Sequence, residues 1–140
     1  MTAMPFVFVA LGGALGSVLR YALALALPSP PSSSSAATFM SAMPWGTFLA
    51  NVVGSFLLGL IASALGERRF VVGSQPVAWR TFLGSGVMGG FTTYSTFNLE
   101  ALRYFERGDA RWGSVYIAMT MATCLVAGGI GLALGRKLSA

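Results

Sequence analysis

Residues 84–100 read GSGVMGGFTTYSTFNLE, and this stretch decides the fold. It lies in the second half of an apolar run over about 77–102 that carries Arg80 and Glu100 near its ends. Five consecutive positions, Gly89, Gly90, Phe91, Thr92 and Thr93, favour leaving an α-helix. Glycine costs about 1 kcal/mol relative to alanine inside a helix. Paired β-branched threonines add rotamer strain, and their hydroxyls compete for the backbone. The pattern predicts a helix broken near the middle of its run.

Three more apolar runs flank this one, at about 5–27, 45–66 and 112–135; Arg20 is the single charge within them. Each reaches the length of about 20 residues that a membrane crossing needs. The composition agrees: 55% of the 140 residues are hydrophobic and 9% charged, against about 25% charged in a soluble domain. The expectation is a single all-α integral membrane domain over 1–140, with four transmembrane helices, the third broken in mid-span. Irregular backbone at membrane depth must be buried in protein or line water, so the break marks a functional or packing site.

The connections differ. Residues 28–44, PSPPSSSSAATFMSAMP, carry no charge and read as a flexible loop. The second connection opens with Glu67, Arg68 and Arg69; the third mixes Arg107 with Glu106 and Asp109; Arg136 and Lys137 follow the fourth run. The net charge of +5 comes from cations that flank apolar runs, where they meet lipid headgroups. No basic patch with interleaved aromatics points to nucleic acid. Residues 1–5 carry no Lys or Arg, so the first run is expected to stay in the mature protein rather than act as a leader. Histidine is absent and Cys124 is the single cysteine. Without a base, a nucleophile pair or a metal cluster, an enzyme is the weakest class.

The cations divide almost evenly between the two ends of a four-span chain. Arg68, Arg69, Arg80, Arg136 and Lys137 fall on the side of the N-terminus, and Arg20, Arg103, Arg107 and Arg111 on the other. Cation bias normally sets orientation. A chain without bias can insert both ways, and two opposite copies can pair about a twofold axis in the membrane plane, as inverted repeats do. A single orientation set by the Glu67–Arg69 cluster is the competing reading.

Small residues one turn apart recur: Gly12 and Gly16, Ala50 and Gly54, Gly86 and Gly90, Gly131 and Gly135. Such pairs let helix backbones approach closely in lipid. At the break, carbonyls freed from the helical ladder are hard oxygen ligands for a small cation such as sodium, two per chain making a four-oxygen cage on a twofold axis. A glycine kink used only for packing fits equally well. Tyr94 and Phe97, three apart, share a helical face. Their ring edges carry positive potential that attracts an anion, although aromatics at this spacing also serve as ordinary core. Asn51, the only amide within the second run, either glues helices or serves a solute. Tyr116, Thr120 and Thr123 form a hydroxyl stripe, as anion donors or as back-bonds to the preceding turn. Arg20 snorkels or faces a vestibule. Glu100 pairs with a nearby Arg or is solvated.

Three motifs together, GGALGSVLRY (12–21), GTFLANVVGSFLLG (46–59) and GVMGGFTTYSTFNLE (86–100), resemble the Fluc/CrcB family of fluoride channels in order and spacing, over nearly the whole chain. The resemblance implies a dual-topology antiparallel homodimer in the bacterial inner membrane. It implies two fluoride pores that export cytoplasmic fluoride by passive electrodiffusion and so limit its toxicity. It implies a structural sodium at the dimer interface, held by the backbone carbonyls of Gly89 and Thr92. The implied pore residues are Asn51, Tyr94, Ser95, Thr96, Phe97, Tyr116 and Thr120, with Arg20 at the vestibule. Two positions depart from the family pattern: Tyr94 stands where Phe is usual, and Thr120 where Ser is common. The long Ser/Pro loop is also unusual. A small proton-coupled multidrug exporter is the alternative, but it needs a membrane-embedded carboxylate, and the first two runs hold none.

Overall fold

The computed structural model describes residues 3–28, 38–64 and 77–139. The Glu67–Arg69 cluster and most of the Ser/Pro loop lie outside the described residues. Within them the chain is helical, and three helices are long and apolar enough to cross a membrane: α1 (Met4–Ala26), α3 (Trp45–Ala64) and α7 (Ala110–Leu138). They coincide with three of the four expected runs. Pro5 sits in the first turn of α1, where a missing N–H costs nothing, and Pro28 follows its extended C-cap Leu27. A short helix α2 (Phe39–Ala42) leads into α3.

The remaining run is divided. It begins as α4 (Val77–Arg80), continues as a π-helical stretch Thr81–Met88 and tightens again in α5 (Gly89–Phe91). Thr92 and Thr93 are extended, at φ −80°, ψ 153° and φ −149°, ψ 115°. A new helix, α6 (Tyr94–Glu106), then starts, capped by the Thr93 hydroxyl, which accepts from the Thr96 N–H at 3.2 Å. The break therefore falls on the threonines, one step after the glycine pair. Gly89 and Gly90 stay helical, and Gly90 serves a different need: a Cβ there would lie 3.1 Å from the Gly13 Cα. The turn between α6 and α7 uses Gly108 at φ +78°, a left-handed position that glycine takes without strain.

Two tightly packed helix pairs result. α1 lies on the π stretch and α5, where a Cβ on Gly86 would come within 2.9 Å of Gly12 Cα and one on Gly16 within 2.8 Å of Phe91 N. α3 lies on α7, where a Cβ on Gly131 would meet Leu60 N at 3.0 Å and one on Gly135 would meet Ala64 N at 2.9 Å. Close backbone approach of this kind replaces the hydrophobic drive that lipid lacks. The pairs meet where Gly54 of α3 faces the Thr92 methyl and Gly46 faces Ala24.

Among the described residues one cluster is buried: Met43, Phe97, Ala101, Tyr104 and Tyr116, with Trp45, Phe48 and Trp112 against it. The outer faces of α1 and α7 are apolar and exposed, as at Phe6, Leu25 and Leu125; surfaces so apolar suit lipid or another chain. Arg80, grouped with the headgroup cations by sequence, is instead buried.

Candidate functional site

The break gathers residues from three helices, and its backbone groups can be accounted for one by one. The Met88 carbonyl accepts twice from Thr92, from the N–H at 3.0 Å and from Oγ1 at 2.9 Å. The Gly90 carbonyl accepts from Arg20 Nε at 3.2 Å. Thr93 is held in both directions by Asn51: its N–H donates to Oδ1 at 2.8 Å, and its carbonyl accepts from Nδ2 at 3.1 Å. The Thr93 hydroxyl donates to Thr96 Oγ1 at 3.0 Å. The exposed Ser95 places its Oγ 3.3 Å from the same hydroxyl. Among the described residues no hydrogen bond reaches the carbonyls of Gly89 or Thr92. Gly89 is exposed, and a Cβ built on it would meet nothing within 4 Å.

Beyond the break the rings form a continuous row. Tyr94 and Phe97 have centroids 6.0 Å apart, Phe97 and Tyr116 5.2 Å, and Tyr116 and Tyr104 6.0 Å, all tilted. Each step lies within the range of favourable ring pairs. The row runs from open to closed, with Tyr94 76% exposed and Phe97 7%. Tyr94 and Phe97 thus share a helical face, as their spacing predicts, but only Phe97 is packed inside the chain.

A polar line follows the rings. Tyr116 donates to Glu100 Oε2 at 2.8 Å, and Thr47 donates to Oε1 at 2.8 Å. Glu100, only partly buried, therefore accepts from two hydroxyls, one on α3 and one on α7, rather than standing free at the helix end. One turn beyond Tyr116, Thr120 is buried, and its Oγ1 has no hydrogen-bond partner. Thr123 instead back-bonds to the Met119 carbonyl at 2.7 Å, which removes it from the stripe of donors. Tyr104 donates to the Ala42 carbonyl and pins the loop end over the row.

The structure thus brings Asn51, Thr96, Phe97 and Tyr116 together around the start of α6, with Thr120 buried one turn further along α7, while Arg20, Gly89 and Thr92 sit at the break. Three participants were not singled out from sequence: Thr47, Met43 and Tyr104. Thr47 precedes Asn51 by one turn, and Tyr104 continues the Phe97–Glu100–Ala101 stripe at helical spacing. Both signals were in the sequence. Met43 carries none, because its place depends on how the loop returns.

A broken helix wedged between close-packed apolar helices, with a row of rings and hydroxyls beside it, defines a multi-pass membrane protein. A sequence profile described as "CrcB-like protein, Camphor Resistance (CrcB)" matches residues 7–132, and the chain belongs to that family. Curated relatives share most of its length. The "Fluoride-specific ion channel FluC" of Rhizobium etli (strain CIAT 652) is 43% identical over 134 residues, covering 94% of this chain and 95% of the relative. Its namesake in Agrobacterium fabrum (strain C58 / ATCC 33970) is 40% identical, with 93% and 94% covered. A third, from Sorangium cellulosum (strain So ce56), is 40% identical, with 95% of each chain covered.

Proposed function

We propose that this chain is a fluoride channel that lets the anion leave the cytoplasm down its electrochemical gradient. The observation that carries the reading is kinship along nearly the whole of both chains with relatives named fluoride-specific ion channels. In this reading the chain crosses the inner membrane four times, with α4, the π stretch, α5 and α6 together as the third crossing. Two copies insert in opposite directions and pair as a homodimer. The break between α5 and α6 then lies at membrane depth, buried in protein as irregular backbone requires.

Fluoride is small and strongly hydrated, so stripping its water dominates the barrier. The pore we assign is lined by Asn51, Tyr94, Ser95, Thr96, Phe97, Tyr116 and Thr120. The buried, unpartnered Thr120 hydroxyl is a donor in want of an acceptor, and the second N–H of the Asn51 amide is another. Edges of the Tyr94 and Phe97 rings add weak positive potential without a fixed charge that would trap the ion. Arg20, bonded to the Gly90 carbonyl beside the break, adds a positive charge on the anion's approach.

A structural sodium fits the break on chemical grounds. The Gly89 and Thr92 carbonyls are hard oxygen acceptors without a hydrogen bond, and a second copy would double their number. Such an ion would supply positive charge to hold two breaks together. The exporter reading has less support, since Glu100 is engaged by Thr47 and Tyr116 and no relative described above is named as a drug exporter.

The test is efflux from liposomes loaded with fluoride, followed by an ion-selective electrode. Fluoride should leave quickly while chloride stays. No fluoride efflux, or equal passage of chloride, overturns the assignment.

A further inference from the structure

Gly12, Gly16 and Arg20 are spaced by four, so they stand on one face of α1, the face that packs on the π stretch and α5. At Gly12 and Gly16 the contact is backbone on backbone. One turn later Arg20 is half-buried, and its Nε reaches the Gly90 carbonyl. In an unbroken helix that carbonyl would accept from the N–H of Tyr94, four residues on. The extended Thr92 and Thr93 carry Tyr94 into a new helix, and the guanidinium takes its place. The carbonyl end of a helical segment is also where a cation is favourable. Asn51 holds the other flank of the break, at Thr93. The two extended residues are therefore clamped from both sides, by α1 at Gly90 and by α3 at Thr93.

We propose that Arg20 is a positioning residue: through the Gly90 carbonyl it fixes where α5 stops, and so how α6 presents Tyr94 and Phe97. Its effect on ion flux rests on the channel reading; its effect on the break does not. This role is short-ranged and passes through one hydrogen bond. A vestibule cation that only concentrates anions acts at a distance, and salt screens it beyond about 10 Å at 0.1 M.

The experiment compares the full-length protein with Arg20→Met in two assays. Hydrogen exchange of peptides covering 88–94 is measured in detergent, and fluoride efflux is measured from liposomes at low and at high ionic strength. The proposal expects exchange at Thr92 and Thr93, whose N–H groups are bonded to the Met88 carbonyl and to Asn51, to speed up about tenfold, which corresponds to about 1.4 kcal/mol. Efflux should fall at both salt levels, and the loss should persist at high salt. Unchanged exchange, or a loss of efflux that disappears at high salt, overturns it in favour of a purely electrostatic role. If Arg20→Met is not recovered folded, Arg20→Gln is the milder change, and the same two readouts decide. Absence of efflux from the unsubstituted protein would remove the channel reading instead, and exchange alone would then decide whether Arg20 fixes the break.

Discussion

Asn51 and Thr93 are bonded to each other in both directions, side-chain amide to backbone peptide, at 2.8 and 3.1 Å. This double contact supplies an extended residue with the partners that a helix would have given it. Asn51→Asp keeps the acceptor, removes the donor and sets a carboxylate oxygen against the Thr93 carbonyl. Leaving a buried polar group unsatisfied costs about 1–3 kcal/mol, more for a charged one. The expected result is a lower melting temperature in detergent and fluoride efflux reduced at least about tenfold. Wild-type melting together with wild-type efflux would show that the amide is dispensable.

Glu100 accepts from Tyr116 and Thr47 at once, and the three residues come from three helices. Glu100→Gln replaces one carboxylate oxygen with an NH₂, so one hydroxyl must turn round to accept and both bonds lose the strength that the charge gives them. Tyr116→Phe removes one donor, leaves the other in place and keeps the ring that packs on Phe97 at 5.2 Å. Glu100→Gln should therefore destabilise more than Tyr116→Phe, by about 1–2 kcal/mol. Thermal unfolding of the two variants side by side checks the order, and the reverse ranking would mean that the Tyr116 hydroxyl, not the carboxylate, organises this end.

Much of this was legible in advance, for identifiable reasons. The apolar runs gave α1, α3 and α7 within a few residues, because length and composition govern a membrane helix more than its neighbours do. The stretch 89–93 was legible as a break, but not which residues form it. Propensity ranks glycine as the weaker helix former, whereas the tertiary contact of Gly90 with Gly13 keeps the glycines helical and pushes the extended pair onto Thr92 and Thr93. The π stretch Thr81–Met88 was not legible at all, since its residues read as ordinary apolar helix. The hydroxyl stripe on α7 was half legible: spacing put Tyr116, Thr120 and Thr123 on one face, but a threonine hydroxyl turns inward or back to its own helix according to what lies opposite. Thr120 is buried without a partner, while Thr123 closes on Met119.

Neighbouring glycines on α1 should respond in opposite ways to alanine. At Gly16 the added Cβ would lie 2.8 Å from the Phe91 N and collide with the Val87 carbonyl, both backbone atoms that cannot swing aside. At Gly13 it would meet nothing within 4 Å. Gly16→Ala is expected to separate α1 from the broken helix and to lower stability by about 1–3 kcal/mol, the cost of overpacking. Gly13→Ala should be neutral or gain up to about 1 kcal/mol from helix propensity. Melting curves of both variants check this, and equal losses at the two sites would point to a further surface packed on Gly13.

The proposed sodium ligands are backbone carbonyls, so withdrawing the ion tests them better than any substitution. Purification with N-methylglucamine in place of sodium should lower the melting temperature, and returning sodium should restore it. An ion present at a hundred times its dissociation constant adds about 2.7 kcal/mol. At about 2–4 °C per kcal/mol for a protein of this combined size, the expected shift is about 5–10 °C. Potassium is larger and should restore less. Thr92→Ser is the internal control: it keeps the carbonyl and the hydroxyl that donates to Met88, losing only the methyl that faces Gly54. It should melt lower than the parent and yet gain the same increment from sodium. If the parent melts at one temperature in sodium, potassium and N-methylglucamine alike, the free carbonyls of Gly89 and Thr92 hold no cation.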